Sequence, residues 1–246
     1  MPSSIINRFG QPTGPAVPDW QPPERPGAAT LHGRFCRLEP LEVERHGSSL
    51  WSAWQEPDPK VPEDRNGEAR WTYLGGRPFY DAASCHDWLH RQSLSQDSVF
   101  MTIIEANTGN ALGVAAWLNI ASEHGSVELG HLNFSPRLAR TSAATEALVL
   151  MMTHVFALGY RRLEWKCDAL NAPSWRAAQR LGFQFEGIFR QHRVVSGHNR
   201  DSAWYSLLDS EWPRLQPLFM RWLAPENFDA HGRQRTSLST LTGTAE

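Results

Sequence analysis

Residues 128–147 read ELGHLNFSPRLARTSAATEA, a pattern that predicts a strand, a tight loop of small residues and the start of a long helix. The first N–H groups of a helix have no partner within the helix, and the helix dipole favours anions there. Small side chains let a ligand approach the backbone, and Arg137 and Arg140 add positive charge at the same place. The segment therefore indicates a pyrophosphate site, the alternative being an ordinary strand–helix corner with two solvated arginines.

A second segment with the same order of elements, residues 168–187, reads DALNAPSWRAAQRLGFQFEG and begins 40 residues after the start of the first. The strand before it, 162–168, alternates apolar and polar side chains. Asn171 then precedes a short helix predicted over 172–181, which has a proline in its first turn and Gly182 after its end. The order strand, loop, helix thus occurs twice along the chain.

The remaining pattern predicts a mixed α/β sheet of about seven strands with helices on both faces. The predicted strands are 33–39, 99–105, 111–120, 127–134, 162–168, 183–195 and 201–208. The predicted helices are 43–54, 82–95, 142–158, 172–181 and 210–223. Residues 66–78 end in turn residues and are predicted to be a loop.

The composition fits one large domain with appendages. Of the 246 residues, 41% are hydrophobic and 20% are charged, which allows a packed core and argues against global disorder. The net charge of −2 gives no bulk attraction to nucleic acid or to an anionic membrane. The predicted division is a proline-rich extended arm over 1–30, a domain over 31–225 and a tail over 226–246, which looks frayed from about Arg233.

Cysteine and histidine spacing argues against disulfides and metal sites. Cys36, Cys85 and Cys167 lie far apart with no C-x-x-C pair, which suits a reducing cytosol. His86 and His90 have the i, i+4 spacing of a helical metal pair, but no third ligand is evident, so they are interpreted as surface histidines. No apolar run approaches the ~18 residues of a membrane span, and a soluble cytoplasmic protein is predicted.

Taken together, the order and spacing of these segments resemble the acetyl-coenzyme A site of the GCN5-related N-acetyltransferases. Within that family the chain looks like the branch that acetylates the N-termini of ribosomal proteins, and most like the acetyltransferase domain that gives self-immunity to microcin C. Three segments carry the likeness to that subgroup: WTYL at 71–74, EWKCD at 164–168 and NRDSAW at 199–204. The resemblance covers about residues 30–225. It implies the fold of that family, with a V-shaped gap between two parallel strands, 127–134 and 162–168.

The resemblance also implies how acetyl-coenzyme A is held. The pantetheine arm is expected in the gap, against the backbone near Leu132 and Phe134, with Asn171 holding it. The pyrophosphate is expected at the N–H groups of Arg140, Thr141, Ser142, Ala143 and Ala144, with Arg137 and Ser174 as further contacts. Arg180 is expected to reach the 3′-phosphate of the nucleotide.

This sequence departs from the family pattern at two places. The loop motif usually reads Gln/Arg-x-x-Gly-x-Gly/Ala, and here its slots hold Ala139, Ser142 and Ala144. A missing glycine matters only if the backbone needs a positive φ there. Many relatives carry a tyrosine that protonates the leaving thiolate, and that slot is Ala178 in this chain. Another group must then serve as the acid, with Ser174 the first candidate and Tyr205 the second.

The expected chemistry is attack by a neutral amine on the thioester, helped by a base, by donors to the oxyanion and by an acid. The base candidates are Glu128 and His131, acting directly or through water. Their odd spacing puts them on opposite faces of a strand, so that one faces the cleft more readily than both. The alternative for Glu128 is an ordinary carboxylate on the strand surface.

Aromatic residues are predicted on the acceptor side: Trp71, Tyr73, Trp117, Trp165 and Trp204. In the microcin-immunity subgroup such rings would stack an aminoacyl-nucleotide; core packing is the alternative, above all for Trp165. The predicted acceptor is a primary α-amino group, on an aminoacyl-nucleotide-like small molecule or on a protein N-terminus. Detoxification of another small amine and a non-catalytic acyl-coenzyme A sensor are the alternatives. A homodimer is expected only by analogy with the family.

Overall fold

The computed structural model describes residues 5–27 and 29–243, which fold around one large mixed sheet. The strands are β1 Ile5–Ile6, β2 Pro12–Thr13, β3 Leu31–His32, β4 Cys36–Pro40, β5 Val99–Glu105, β6 Ala111–Ala121, β7 Ser126–Phe134, β8 Arg162–Asp168, β9 Gln184–Val195 and β10 His198–Leu208. The helices are α1 Val43–Trp54, α2 Ala82–Ser93, α3 Ser142–Ala157, α4 Ala172–Arg180, α5 Trp212–Leu223 and α6 Leu238–Thr242. The predicted mixed α/β fold is confirmed.

The main sheet has eight strands in the order β3-β4-β5-β6-β7-β8-β10-β9, while β1 and β2 form a separate pair. Neighbouring strands in the sheet are antiparallel except for β7 and β8. About seven strands were predicted; the extra one is β3, two residues that pair with Arg37 and Leu38 across a short turn. Within the described residues, none of the helices is long and apolar enough to cross a membrane.

The core lies in two apolar clusters, one on each face of the sheet. Helices α3 and α5 pack on one face, and α1 and α2 pack on the other. The second cluster is unusually aromatic, because the rings of Trp54, Trp71, Phe79 and Trp88 meet at centroid distances of 5.1–6.0 Å. Such pairs add about 0.5–1.5 kcal/mol each beyond their area burial. Several of the tryptophans that mark this sequence therefore hold the fold together.

The predicted parting of the parallel strands is confirmed. Strands β7 and β8 share three parallel pairs, the last of which joins Glu128 to Glu164, although β7 continues to Phe134. The register of β7 against β6 shifts between Gly130 and Asn133, and His131 has a φ of +48°. A β-bulge of this kind bends its strand and increases the local twist. The bulge therefore turns β7 away from β8 and opens the V-shaped gap.

Glu146 of α3 ties the beginning of the domain to the helix. Its buried carboxylate accepts the backbone N–H groups of Arg34, Phe35 and Cys36 at 2.8, 2.6 and 2.9 Å. Gly33 lies so close that a Cβ there would collide with the carboxylate. The turn between β3 and β4 is thereby fixed beside the first turn of α3.

The prediction of a structureless loop over 66–78 is wrong in its middle. A 3-10 helix runs over Ala69–Leu74 and ends at Gly75, whose φ of +92° suits glycine. Trp71 is 2% exposed within the aromatic cluster, and Arg70 donates to the carbonyl oxygens of Gly67 and Glu56. These tertiary contacts order a segment whose local pattern shows only turn residues.

The prediction of a frayed tail is wrong for residues 238–242. Ser237 caps the short helix α6, and Leu238 is 1% exposed against the main core. Residues 1–4, 28 and 244–246 of the predicted arm and tail lie outside the described residues. The described arm runs along the domain, where Trp20 Nε1 donates to the carbonyl of Glu123 at 3.2 Å and the Trp20 ring lies beside Arg161.

Candidate active site

Two clefts lie on either side of the corner between β7 and α3. The first, with a volume of about 490 Å³, is called the anion cleft; it is lined by Arg34, Phe35, Glu105, Arg137, Arg140, Thr141, Ser142, Ala143, Arg180, Trp222 and Phe228, among others. The second, of about 590 Å³, is called the splay cleft; it is lined by Tyr73, Glu128, His131, Leu132, Trp165, Lys166, Cys167, Asp168, Asn171, Ser174, Arg193 and Arg200, among others. The corner residues thus separate a positively charged cleft from a cleft with mixed charge.

The beginning of α3 supplies free backbone donors to the anion cleft, but fewer than predicted. Thr141 caps the helix, because its Oγ1 accepts the N–H of Ala144 at 3.2 Å. The N–H of Thr141 itself donates to Leu138 O at 3.2 Å. Among the described residues, no acceptor meets the N–H groups of Arg140, Ser142 and Ala143. Five free N–H donors were predicted. The prediction is wrong for Thr141 and Ala144, because the preceding turn and the helix cap already use their N–H groups.

The altered loop motif does not prevent this geometry. Arg140 has a φ of +65°, whereas neither Ser142 nor Ala144 has a positive φ. The slots in which relatives carry glycine therefore need no glycine here, and the strain of the turn falls on Arg140. A non-glycine residue in the left-handed region is uncommon and is found most often where surrounding structure fixes it.

Arg180 is the strongest candidate for an anion contact. It lines the anion cleft, burial lowers the pKa of its guanidinium, and no described carboxylate acts on that group. A buried guanidinium remains charged, and leaving it unpaired is costly, so the residue fits a bound phosphate. Arg137 also lines the cleft but is half-exposed and pairs with Glu56 at 2.7 Å.

An aromatic wall of the anion cleft was missed by the sequence analysis. Phe35 and Phe228 meet edge to face at 5.2 Å, Trp222 packs against Phe228, and the Arg34 guanidinium lies 4.7 Å from the Phe35 ring centroid. Phe228 belongs to the tail, and Phe35 to the turn that Glu146 holds. Nothing in either local pattern indicates that residues so far apart in the chain share one wall.

Glu128 lies where β7 and β8 part, and its two carboxylate oxygens have different surroundings. Oε2 accepts Asn119 Nδ2 at 2.6 Å and pairs with Lys166 Nζ at 2.9 Å. Lys166 also pairs with Glu164 at 2.9 Å. Oε1 accepts no hydrogen bond from the described residues and is not among their fully buried atoms, which leaves it available to the splay cleft. Oε2 thus holds the side chain in one orientation, while Oε1 is accessible from the cleft.

His131 lines the same cleft on the same face as Glu128, which corrects the prediction of opposite faces. Glu128 lies directly opposite Leu118, which packs on the cluster of α1 and α2, and the His131 ring stacks on Trp88 of that cluster at 5.5 Å. The bulge adds a residue and cancels the alternation. Burial lowers the pKa of His131 to about 4, and its Nε2 is buried without a partner. His131 is therefore a poor base at neutral pH.

Ser174 lies at the beginning of α4 with its hydroxyl oriented. Trp165 Nε1 donates to Ser174 Oγ at 3.0 Å, so the hydroxyl hydrogen remains to donate, and the neighbouring Cys167 sulfur is within its reach. The side chain of Asn171 caps the helix by accepting the N–H of Ser174 at 3.2 Å. Beside them, Cys167 lines the cleft, and burial raises the pKa of its thiol, so that it stays protonated. Asn171 and Ser174 thus both line the splay cleft, and their predicted roles toward acetyl-coenzyme A stay predictions.

Tyr205, the second acid candidate, lies outside the splay cleft. It pairs with Trp165 across β8 and β10, is 4% exposed, and packs against Phe185 at 5.3 Å. Burial raises the pKa of its hydroxyl. Ala178, which occupies the tyrosine slot of the relatives, is fully buried in the core. Of the two acid candidates, the geometry therefore leaves Ser174.

The predicted acceptor aromatics divide into three groups. Tyr73 and Trp165 line the splay cleft, and the Tyr73 hydroxyl donates to Leu170 O at 3.3 Å. The prediction that Trp71 and Trp117 contact the acceptor is wrong, because both rings are almost fully buried, in the clusters on opposite faces of the sheet. Trp204 is also a correction, since it lies behind the cleft lining, stacked on Phe189 at 4.5 Å with Lys166 Nζ over its ring at 3.9 Å.

The backbone of β7 is only partly available for a ligand. Leu132 lines the splay cleft as predicted. Phe134 lines neither cleft, it pairs with Gly113 of β6, and its carbonyl accepts Arg70 Nη1 at 3.4 Å. Pairing of a ligand with Phe134 is therefore a correction. The described residues contain no group of three or more His, Cys, Asp and Glu side chains that could hold a metal.

A parallel strand pair that parts beside a helix terminus with free N–H groups is typical of acyl-coenzyme A-dependent transferases, and comparison with known proteins agrees with this. The model of the family described as Acetyltransferase (GNAT) domain matches residues 52–184. A solved GCN5-related N-acetyltransferase from Brucella melitensis is 43% identical, with a TM-score of 0.87 over 92% of this chain and 100% of that one.

Two further relatives agree. A solved probable acetyltransferase of the GNAT family from Chromobacterium violaceum is 36% identical, with a TM-score of 0.73 over 82% of this chain and 98% of that one. The uncharacterized N-acetyltransferase p20 of Bacillus licheniformis is 26% identical over 74% of this chain and 98% of its own length. The chain belongs to the GNAT acetyltransferases, enzymes that use acetyl-coenzyme A as co-substrate and act on amines. The unpaired Arg180 and the free N–H groups of α3 fit that co-substrate.

Proposed function

We propose that this protein transfers the acetyl group of acetyl-coenzyme A to a primary amine, an α-amino group on an aminoacyl-nucleotide-like small molecule or on a protein N-terminus. One observation carries the proposal: an oriented carboxylate with one open oxygen, Glu128, and an oriented hydroxyl, Ser174, line the same cleft at the point where β7 and β8 part. Acyl transfer to an amine needs a proton acceptor and a donor at the leaving group, and these side chains supply both.

Glu128 is the proposed base. Because Asn119 and Lys166 hold Oε2, the carboxylate keeps one orientation, and Oε1 accepts the proton that the attacking amine loses. The transfer is direct or passes through one water. His131 lies nearby but is not proposed as the base, because its Nε2 is enclosed in the protein and Glu128 has an open oxygen.

Ser174 is the proposed donor to the leaving sulfur. The Trp165 indole N–H fills one lone pair of Ser174 Oγ, and the hydroxyl hydrogen, which the Cys167 sulfur accepts in the free protein, would turn to the leaving sulfur. A serine hydroxyl is a weak acid, and its expected contribution is a hydrogen bond that stabilises the developing thiolate, with water supplying the proton afterwards. This role replaces that of the tyrosine found in many relatives, whose slot is the buried Ala178.

The first experiment is calorimetric titration of the protein with acetyl-coenzyme A, followed by thiol release against a panel of primary amines. The panel holds peptides with free N-termini, aminoacyl-sulfamoyl adenosines and simple polyamines. Tight binding together with thiol release that depends on an α-amine supports the proposal. Tight binding without thiol release from any amine would favour a non-catalytic sensor, and absence of binding would contradict the proposal outright.

A further inference from the structure

The hairpin of β9 and β10 carries two arginines that nothing in the fold explains. Arg193 and Arg200 are directly opposite each other in the antiparallel register, and both line the splay cleft. Residues directly opposite share one face of a sheet, and like charges in that arrangement are destabilising. A pair of this kind is expected to have an anion between or beside its members.

Neither arginine has such a partner within the described part of the chain. No carboxylate there lies within ion-pair distance of Arg193 or Arg200. The Nε of Arg200 is buried and has no hydrogen-bond acceptor. A buried donor that loses water without gaining an acceptor costs free energy, so an incoming anion would satisfy it.

The other cationic groups of the splay cleft are already paired. Lys166 is paired with Glu128 and Glu164, whereas the Asp168 carboxylate, which accepts the N–H of Leu170 at 2.8 Å, forms no ion pair with a described residue. Arg70 donates to main-chain carbonyls. The positive charge open to a ligand is therefore concentrated on the hairpin.

The hairpin is also held over the cleft. Ser196 at its turn donates from Oγ to the carbonyl of Gly75 at 3.1 Å, which joins the hairpin to the 3-10 helix of residues 69–74. Tyr73 lies on that helix and lines the cleft from the same side. The two arginines thus face a cleft that has walls on both sides.

We propose that Arg193 and Arg200 bind an anionic group on the acceptor, a carboxylate or a phosphate, and thereby present its amine to Glu128. This inference rests on the proposed function and narrows its acceptor to amines that carry a nearby negative charge. Guanidinium groups suit the purpose because their planar donors match carboxylate and phosphate oxygens in pairs. The same charges would repel a polyamine.

The test compares pairs of acceptors in which one member carries that charge and the other does not. The peptide arm uses the C-terminally amidated tripeptides Ser-Asp-Ala and Ser-Asn-Ala. The nucleotide arm uses alanyl-sulfamoyl adenosine and its neutral counterpart, the alanyl amide of 5′-amino-5′-deoxyadenosine. We expect kcat/KM to favour the charged member of one pair by about 10-fold or more, mainly through KM. The pair that responds identifies the source of the anion.

The variants assign the preference to the hairpin. In Arg200→Gln, and more completely in the double variant with Arg193→Gln, the preference should fall to about 1, while turnover of the neutral member stays. Arg200→Lys should keep part of it. Arg190→Gln is the matched control, because Arg190 lies on the other face of the same hairpin beside Asp201. The melting temperature of Arg200→Gln should equal or exceed that of the wild type, since like-charge repulsion is removed.

A charge preference that is absent from both pairs, or that survives the double variant, would overturn the inference while leaving amine acetylation intact. Calorimetric binding of each acceptor to the enzyme with coenzyme A gives the same comparison without turnover. Failure of every amine to be acetylated would count against the proposed function, and the binding preference would still decide whether the hairpin recognises anions.

Discussion

The two clefts on either side of the β7–α3 corner are built in contrasting ways. The anion cleft offers donors that the fold leaves unpaired: the N–H groups of Ser142 and Ala143 and the guanidinium of Arg180. At the strand junction of the splay cleft, by contrast, Lys166 is paired with two carboxylates and a single open oxygen remains on Glu128. Open donors suit the binding of a fixed phosphate ligand, whereas a held carboxylate with one free atom suits directed proton transfer.

The largest expected effect is a loss of turnover in the splay cleft with no change of coenzyme binding in the anion cleft. In Glu128→Gln, kcat/KM for amine acetylation should fall by about 10²–10⁴, because a general base is lost while the amide keeps the shape. The affinity for acetyl-coenzyme A should stay the same. Thiol release over a range of pH and calorimetry measure the two effects. Glu44→Gln, an exposed change on α1, is the control for charge.

His131→Asn provides the second control for that experiment. Asparagine tolerates the left-handed backbone at this position, and the variant should keep the wild-type pH–rate profile. If His131→Asn changed the pH–rate profile and Glu128→Gln did not, the base would be His131. The open oxygen of Glu128 would then not be the feature that distinguishes the two clefts.

The next effect concerns the anion cleft alone. Arg180→Gln should weaken acetyl-coenzyme A binding by about 10-fold or more, since a charged hydrogen bond to phosphate is lost. Binding of dephospho-coenzyme A, which lacks the 3′-phosphate, should change little. Calorimetry with both ligands measures the coupling. An equal loss for both ligands would show that Arg180 contacts another part of the nucleotide.

A smaller effect is expected at Glu146, where one substitution should lower both the stability of the fold and the affinity of the anion cleft. Glu146→Gln replaces one acceptor oxygen by an NH₂ group that faces backbone donors, and it should destabilise the protein by about 1–3 kcal/mol. Acetyl-coenzyme A affinity should also fall, because Arg34 and Phe35 lose their support. Thermal unfolding and calorimetry provide the measurements, again with Glu44→Gln as the control. An unchanged melting temperature would show that the three hydrogen bonds contribute little.

The smallest effect is expected from Ser174→Ala. Turnover should fall several-fold, about the strength of one hydrogen bond to the leaving sulfur, with coenzyme affinity nearly unchanged. Ser174→Thr keeps a hydroxyl and should recover part of the rate. Steady-state thiol release and calorimetry decide the matter, and a rate equal to that of the wild type would remove Ser174 from the mechanism.

Much of the site follows from local sequence, because its parts are strand ends and helix beginnings. The turn at Arg140, the free N–H groups of α3 and the cap formed by Asn171 and Ser174 depend on residues within a few positions of each other. Their chemistry is legible in the chain because helix termini leave the same groups unpaired wherever they occur. The parallel pair β7 and β8, by contrast, was predicted from the resemblance to the family.

Side-chain direction was predicted less well, for physical reasons. The rule of alternation placed Glu128 and His131 on opposite faces, and one bulge reversed the result. Trp71 and Trp117 looked like ligand-stacking residues, but large apolar rings gain more from burial in the core than from a wet cleft. A pattern of residue types does not say which of two apolar environments a ring enters.

The sequence by itself determined the fold class and the positions of the two helix beginnings, since helix termini depend on short-range backbone geometry. Only the tertiary structure decided that Phe35 and Phe228 form one wall, that Arg193 and Arg200 face the cleft without a carboxylate partner among the described residues, and that Glu128 keeps one open oxygen. These are contacts between segments far apart in the chain. Such contacts form when packing of the whole core brings the segments together, so that no local pattern contains them.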